Sequence, residues 1–310
     1  MTSRSRPEIV LTGLGTACAV GTGCPALWEA LAAGRDGIRD IERFSAAPFR
    51  SRLAGLWPRW DRANAEACTA LELATESARE AWMSARAPQA AVAPHRVGVV
   101  LGTCFGERYG GFSELARGVA VAIGAEGPCL TVPTACAAST TAIGVGRDLI
   151  DEGAADLVLA GGVDVITREV FAGFHALGAL SGGKCTPFGA SVGLTLGEGS
   201  GFVLLEGLER ARHRGAEPLA HVLGYGISAD AFHATAPDPT GGGVMRAIRA
   251  ALLDAGTLPG EVDFVSAHGT GTEANDAAEW LAVRSTIGDQ VPISSSKSLL
   301  GHAQGAAGVL

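Results

Sequence analysis

Short runs that are apolar at nearly every position punctuate this chain. Between them lie longer stretches whose apolar residues recur every three or four positions. The first kind reads as strands buried on both faces, the second as amphipathic helices. Residues 9–12 predict a first strand, followed by a Gly-rich turn, and residues 24–33 predict a helix with Pro25 suited to its first turn. A long helical pattern covers 64–85, with Leu71, Leu73, Ala78 and Trp82 on its apolar positions. Residues 97–101 predict a short strand ending in Gly102-Thr103-Cys104. Residues 107–124 predict a helix, 137–150 another, and 157–160 a strand. The alternation then resumes, with strands at 201–206, 219–224, 262–266 and 291–295 and helices at 244–255 and 273–287. Apolar strands alternating with helices predict a mostly parallel sheet covered on both faces. The closing Gly305-Ala306-Ala307-Gly308-Val309-Leu310 reads as a helix in mid-stride with no stop signal, so the chain is expected to be a fragment or a truncated reading frame.

Composition narrows the class. The chain has 310 residues, 47% hydrophobic and 18% charged, enough to bury a sizeable core. A formal net charge of -8 argues against nucleic acid as the main partner. The seven cysteines are odd in number and include no Cys-x-x-Cys pair, so neither a disulfide framework nor a metal site is expected. The polar N-terminus and the lack of an 18-residue apolar run predict no signal peptide, no membrane span and a cytoplasmic protein. No phosphate-binding or dinucleotide fingerprint is present.

One stretch carries more chemistry than any other. In Val-Pro-Thr-Ala-Cys-Ala-Ala-Ser (132–139) a small-residue approach ends at Cys136, and a helix follows at once. A thiol at a helix N-terminus is favoured in its reactive thiolate form by the unpaired N–H groups and the helix dipole. Two distant segments supply partners: Ala-His-Gly-Thr-Gly-Thr with His268, and Ser-Ser-Ser-Lys-Ser-Leu-Leu-Gly-His with Lys297 and His302. One Cys with two sequence-distant His residues fits acyl-transfer chemistry. His95, His175, His213, His221 and His233 read as structural, as do the other six cysteines, with Cys104 placed near the pocket.

With those residues in view, the chain resembles the β-ketoacyl-acyl-carrier-protein synthases, almost end to end. The resemblance runs through Val-Leu-Thr-Gly-Leu-Gly, Leu-Trp-Glu-Ala-Leu-Ala-Ala-Gly-Arg-Asp-Gly-Ile, Thr-Ala-Cys-Ala-Ala-Ser, Ala-Gly-Gly-Val-Asp, Gly-Glu-Gly-Ser-Gly, His-Gly-Thr-Gly-Thr and Ser-Lys-Ser-Leu-Leu-Gly-His. It implies an α/β thiolase-like fold: two similar halves with mixed five-stranded sheets in a five-layer αβαβα stack. The second half is expected to be incomplete. The nucleophile half is expected at 1–206 and the His/Lys/His half at 207–310.

The resemblance also implies roles. Cys136 takes the acyl group from a phosphopantetheine thioester. His268 and His302 donate hydrogen bonds to the thioester oxygen while a malonyl thioester loses CO2. Lys297 orders the surroundings of His302, and Thr270 and Thr272 line the pantetheine approach. Glu273 and Asp276 read as structural at a helix start. No cofactor is implied, since the substrates ride on an acyl carrier protein. That carrier is expected to be acidic and to meet a local basic patch, and the protein is expected to form a homodimer or a heterodimer with a ketosynthase-fold partner.

Three departures from the family stand out. About the last hundred residues, with the Gly-Phe-Gly-Gly-type loop that completes the oxyanion hole, are absent, which predicts an unpaired sheet edge and impaired activity. The Asp-rich turn after Cys185-Thr-Pro-Phe is replaced by uncharged residues. Cys104-Phe105 stands where small residues are common, which predicts a narrower pocket or an altered acyl preference. Two other readings remain: a non-catalytic heterodimer partner of the chain-length-factor kind, and a thiolase-like enzyme that does not decarboxylate. The retained Cys136 opposes the first, and the paired His motifs oppose the second.

Overall fold

The computed structural model describes residues 7–59, 69–106, 111–190 and 193–310. Cys68 and parts of two expected helices, 64–68 and 107–110, lie outside the described residues.

The elements run β1 (Ile9–Cys18), β2 (Gly21–Thr22), α1 (Cys24–Ala32), β3 (Ile38–Asp40), β4 (Leu53–Gly55), α2 (Ala70–Ser84), β5 (Val97–Gly102), α3 (Phe112–Ile123), β6 (Cys129–Val132), α4 (Ala138–Asp151), β7 (Leu157–Asp164) and α5 (Arg168–Ala176). They continue with β8 (Leu196–Gly197), β9 (Gly199–Gly207), α6 (Leu208–His213), β10 (Ala220–His221), α7 (Gly242–Ala255), β11 (Val265–Ser266), α8 (Glu273–Thr286), β12 (Ile293–Ser294) and α9 (Lys297–Leu300).

The main sheet has the order β10-β1-β9-β7-β5-β6, with β2 on β1. It is mixed. β1, β9 and β7 pair antiparallel, whereas β7, β5 and β6 pair parallel. The expectation of a mostly parallel sheet is therefore corrected. An antiparallel strand in mid-sheet is as apolar as a parallel one once both its faces are covered, so composition does not reveal direction.

Alternate residues of these strands serve two cores. Val99, Leu101, Leu157, Leu159, Phe202 and Leu204 pack with α2 and α3 through Leu73, Ala78, Leu115 and Val119. Their neighbours Val100, Val158, Ala160, Val203 and Leu205 pack on the other face with Ala142 and Ile150 of α4. Each large side chain so buried contributes about 1.5–3 kcal/mol relative to exposure. α4 is therefore clamped against the sheet, and its N-terminus is held where β5 ends. Glu198, of the Gly-Glu-Gly motif, is fully buried and structural: it takes a forked pair from Arg43 and the amides of Trp57 and Ile166.

The second half is sparser. β11 and β12 form a parallel pair, and α7 packs with α8. The expected strand at 219–224 shrinks to Ala220–His221, which pairs with β1 rather than with β11. The expected strands at 262–266 and 291–295 shrink to two residues each. A strand persists only where a neighbour takes its N–H and C=O groups. Leu223, Ile227 and Phe264 accordingly stand exposed. The expected closing helix is also corrected. Gln304–Ala306 form a single 3-10 turn, with Gln304 in the left-handed region (φ 51°).

Candidate active site

Cys136 lies in a 3-10 turn, Ala135–Ala137, immediately before α4. Ala135 adopts a left-handed backbone (φ 51°), unusual for a residue with a side chain and costing about 1–3 kcal/mol. The strain turns the chain sharply enough to present the thiol at the helix start. No side chain caps α4 and no acid occupies its first turn, so its N–H groups remain available to an anion.

The end of β5 fixes this turn from below. A methyl group on Gly102 would lie 2.3 Å from the Ala138 carbonyl carbon and 2.5 Å from Ser139 N, so strand and helix touch backbone to backbone. Cys104 follows two residues later and is half-buried.

Asp164, at the end of β7, gathers the loop. Its Oδ1 accepts from Thr103 Oγ1 (2.8 Å) and Phe105 N (3.1 Å), and its Oδ2 from Cys104 N (2.8 Å) and Gly305 N (2.7 Å). Burial pushes this carboxyl up to about 6, against the pull of those donors. All four partners donate, which suits the ionised, acceptor-only form at neutral pH.

His268 follows β11, and its backbone N–H donates to Glu279 Oε1 (2.6 Å). Glu279 Oε2 accepts from Gly269 N (2.8 Å). Gly269 has φ 43°, and a methyl there would sit 2.6 Å from Ser295 Cβ, so the loop needs glycine. His302 is 2% exposed. Its backbone bonds Thr195 O and Gly197 N on either side of Leu196. Its Nδ1 accepts from Gln304 N (3.0 Å), which places the proton of the neutral ring on Nε2.

The two imidazole rings meet edge to face at 5.1 Å and 84°. Donor atoms of Cys136, His268 and His302 all lie within 4.8 Å of one another. Three residues separated by up to 166 positions thus share one point. Their donor types would suit zinc, but Lys297, 4% exposed and within electrostatic reach of Cys136, opposes a dication there.

The electrostatics divide the site. Cys136 is held well below its ordinary value, by the Cys104 hydrogen bond first and then by His302 and His268, against desolvation. Cys104 is pushed well above its own, by the same bond, by burial and by Asp164. His302 is lowered by complete burial, which keeps the ring neutral, with the Cys136 charge pulling the other way. Burial lowers the Lys297 ammonium too, opposed first by Glu279.

The structure therefore brings Cys136, His268, His302 and Lys297 together. Thr270 and Thr272 lie on the adjoining loop, with their hydroxyls 2.9 Å apart and paired to each other. Asp276 is structural: it accepts from Phe188 N (2.7 Å) and Gly271 N (3.2 Å). Glu273 is exposed. The loop after Cys185 is tied by that Asp276 bond and by Cys185 N to Thr195 Oγ1 (2.9 Å) in place of charges; Ser191 and Val192 lie outside the described residues. Sequence reasoning missed Asp164 and Glu279 as anchors. Glu279 shares a helix face with Asn275 and Asp276, four and three positions before it, a spacing that could have flagged it. Asp164 closes an otherwise apolar strand, the one signal it offers. Arg210, Arg212 and Arg214 pair with Asp156, Glu209 and Glu206.

Comparison with known families agrees with this geometry. The profile described as "Beta-ketoacyl synthase, N-terminal domain" matches residues 6–211, and "Beta-ketoacyl synthase, C-terminal domain" matches 219–310. The chain belongs to the β-ketoacyl synthases. This β-ketoacyl synthase is 36% identical to the tetracenomycin polyketide synthase ketoacyl synthase alpha subunit of Streptomyces glaucescens, over all of this chain and 84% of that one. It is 33% identical to 3-oxoacyl-[acyl-carrier-protein] synthase 2 of Coxiella burnetii, over 98% and 83% of the two chains. Among solved structures, the ishigamide ketosynthase/chain length factor superposes with a TM-score of 0.91 at 35% identity, covering 98% of this chain and 84% of that one. A ketosynthase from Burkholderia phymatum superposes at 0.87 with 29% identity, over 98% and 84% of the two chains. The thiolase-like α/β fold of the β-ketoacyl synthases is thus shared by this chain. Among the described residues no helix is long and apolar enough to cross a membrane.

Proposed function

We propose that this β-ketoacyl synthase catalyses a decarboxylative Claisen condensation, joining an acyl group held on Cys136 to a malonyl group on an acyl carrier protein. The supporting observation is the convergence of the Cys136, His268 and His302 donor atoms within 4.8 Å. The Cys136 thiolate attacks the carbonyl of an acyl thioester, and the carrier's pantetheine leaves as a thiolate that takes a proton from solvent. The malonyl thioester then loses CO2, and negative charge moves onto its thioester oxygen. Nε2–H of neutral His302 and an N–H of His268 are the donors suited to that oxygen, each worth about 10²–10³ in rate. The resulting carbanion attacks the acyl-Cys136 carbonyl, the thiolate leaves, and a 3-oxoacyl carrier thioester departs. Lys297 lies buried beside this exchange of anions.

The reading makes an acyl carrier protein the partner. One similar structure, 29% identical, is a ketosynthase in complex with its acyl-carrier protein, and the ishigamide protein pairs a ketosynthase with a chain length factor. We extend both associations to this chain, whose alternative as a non-catalytic partner is disfavoured by its retained Cys136 and both histidines. A cytoplasmic setting, which keeps thiols reduced, suits six described cysteines that are all free.

The test is intact-protein mass spectrometry after incubation with an acyl-carrier thioester, beside Cys136→Ala. The expected result is an acyl adduct in the parent and none in the variant, followed by CO2 release from malonyl-carrier. An equal adduct in the variant, or none in a folded parent, would overturn the reading.

A further inference from the structure

Gln304 is disfavoured three times over. Its backbone is left-handed (φ 51°), a conformation that Gly or Asn adopts more readily. Its side chain is 0% exposed. Neither Oε1 nor Nε2 of its amide has a hydrogen-bond partner among the described residues. Each feature destabilises the fold, and their coincidence on one residue points to a role that stability does not explain.

Its surroundings show where that role lies. Gln304 N donates to His302 Nδ1 (3.0 Å), and a ring nitrogen of His302 lies within 4.8 Å of the Cys136 sulfur. The Gln304–Ala306 turn packs on the Ala135–Ala137 turn that carries Cys136. It is equally close to the end of β5, since a methyl on Gly305 would lie 2.7 Å from Thr103 Cα and 2.8 Å from Cys104 N. Apolar side chains adjoin these reacting groups. Phe105 follows Cys104, Leu196 is bridged to His302, and both pack in one apolar cluster with Ile166, Leu180 and Leu194.

An acyl chain on Cys136 has to lie beside these turns. A saturated chain would leave the Gln304 amide unpaired, whereas a chain bearing an oxygen would pair it. Apolar sites with one well-placed polar group discriminate between substrates in this way. We infer that Gln304 is a specificity-determining residue whose amide hydrogen-bonds an oxygen of the Cys136-bound acyl chain, so that the preferred acyl substrate is a 3-oxoacyl thioester rather than a saturated one. The inference rests on Cys136 being acylated as set out above. The C3 ketone is the first oxygen beyond the thioester. It accepts from Nε2–H, and the enol form of the same group donates to Oε1.

Loading is the same thioester exchange: the Cys136 sulfur bonds to the thioester carbon, pantetheine leaves as a thiolate, and the ketone is untouched. A 3-oxoacyl thioester is also what the condensation makes. The reaction that supplies this substrate is therefore a preceding condensation, with no reduction of its ketone in between. The cost of the unpaired amide falls on the empty protein and is offset when the chain enters.

The experiment measures acylation of Cys136 by acetoacetyl-pantetheine and butyryl-pantetheine, which have equal carbon chains and differ at C3, in the parent and in Gln304→Met, by intact-protein mass spectrometry. Intrinsic reactivities cancel when the ratio of the two rates is compared between proteins. One buried hydrogen bond made or left unmade is worth roughly 10–100-fold, so the acetoacetyl-to-butyryl ratio should be about 10-fold or more higher in the parent. Melting of the finished adducts supplies a reading independent of rate, and decides the matter if the variant does not fold. In the parent the acetoacetyl adduct should melt above the butyryl adduct, and in Gln304→Met the two should melt together. Equal rate ratios in the two proteins, or parental adducts that melt together, would overturn the inference while leaving Cys136 as the nucleophile. No adduct from either thioester in a folded parent would remove the functional reading, and this inference with it.

Discussion

Substituting Gly102→Ala tests whether the end of β5 sets the nucleophile's position. The new methyl would lie 2.3 Å from the Ala138 carbonyl carbon, 2.5 Å from its oxygen and 2.5 Å from Ser139 N. Comfortable carbon contacts are about 3.5 Å, so the strand and the helix start must separate by about 1 Å. None of the three atoms belongs to a flexible side chain, so a rotamer change cannot absorb the clash. Overpacking of this kind costs about 1–3 kcal/mol. The same displacement moves Cys136 relative to His268 and His302, and about 1 Å of misplacement can cost about 10²-fold in rate. The assay is the rate of Cys136 acylation by an acyl-carrier thioester, with the melting temperature measured alongside. Gly260→Ala is the control, since nothing lies within 4 Å of a methyl there. We expect Gly102→Ala to lower both quantities and the control to lower neither. A parental acylation rate in a Gly102→Ala protein whose melting temperature has fallen would refute the claim that β5 positions the thiol.

Other residues make separable predictions. Asp164, raised to about 6 by burial, binds a proton in the folded chain across a window, from roughly pH 4 to 6, where the unfolded chain has already lost it. Its contribution to stability is therefore largest in acid and lost as pH rises through about 6. Urea unfolding should show the parent losing about 2 kcal/mol relative to Asp164→Asn between pH 4 and 7, at 1.36 kcal/mol per pH unit, and parallel pH curves would contradict this. Glu279→Gln leaves one of the His268 and Gly269 amides without its acceptor and leaves Lys297 without its main counter-charge. CO2 release from malonyl-carrier should drop by about 10–100-fold while Cys136 acylation stays within a few-fold, and an equal loss of both would count against the division of roles. Gln304 is fully buried and both atoms of its amide lack a partner among the described residues, so Gln304→Met should stabilise the fold by about 1 kcal/mol or more. A lower melting temperature in that variant would sink the argument.

The sequence made the chemistry legible more readily than the topology. Cys136, His268, Lys297 and His302 are visible because acyl transfer demands those side chains and tolerates few others. The all-apolar strands at 97–101, 157–160 and 201–206 were legible for a comparable reason, since both of their faces are buried and every side chain must comply. Direction was not legible. β9 runs antiparallel to β7 with the same apolar composition that β5 shows in parallel, and only the connections distinguish them. Strand length in the second half was not legible either. Residues 219–224 have the side chains of a strand, but a ladder is a property of two segments, and β1 bonds this stretch only from Leu219 to Val222.

The anchors Asp164 and Glu279 fall outside both kinds of legibility, for one physical reason. Neither touches the shared point of the cysteine and histidines. Each instead satisfies backbone N–H groups of the loop that carries a neighbour of that point: Asp164 for Cys104, Phe105 and Gly305, Glu279 for His268 and Gly269. A backbone donor has no residue identity, so no motif pairs an acid with it, and the pairing becomes visible only once the chain is folded. The two acids lie 115 positions apart and behave alike. Each carboxylate offers two oxygens to consecutive or converging amides, so each fixes a loop in two places where a neutral side chain would fix it in one. The sites that look like decoration in the sequence, an acid closing an apolar strand and an acid on a helix's buried face, are therefore the ones that fix two loops as a cradle whose three reactive side chains meet.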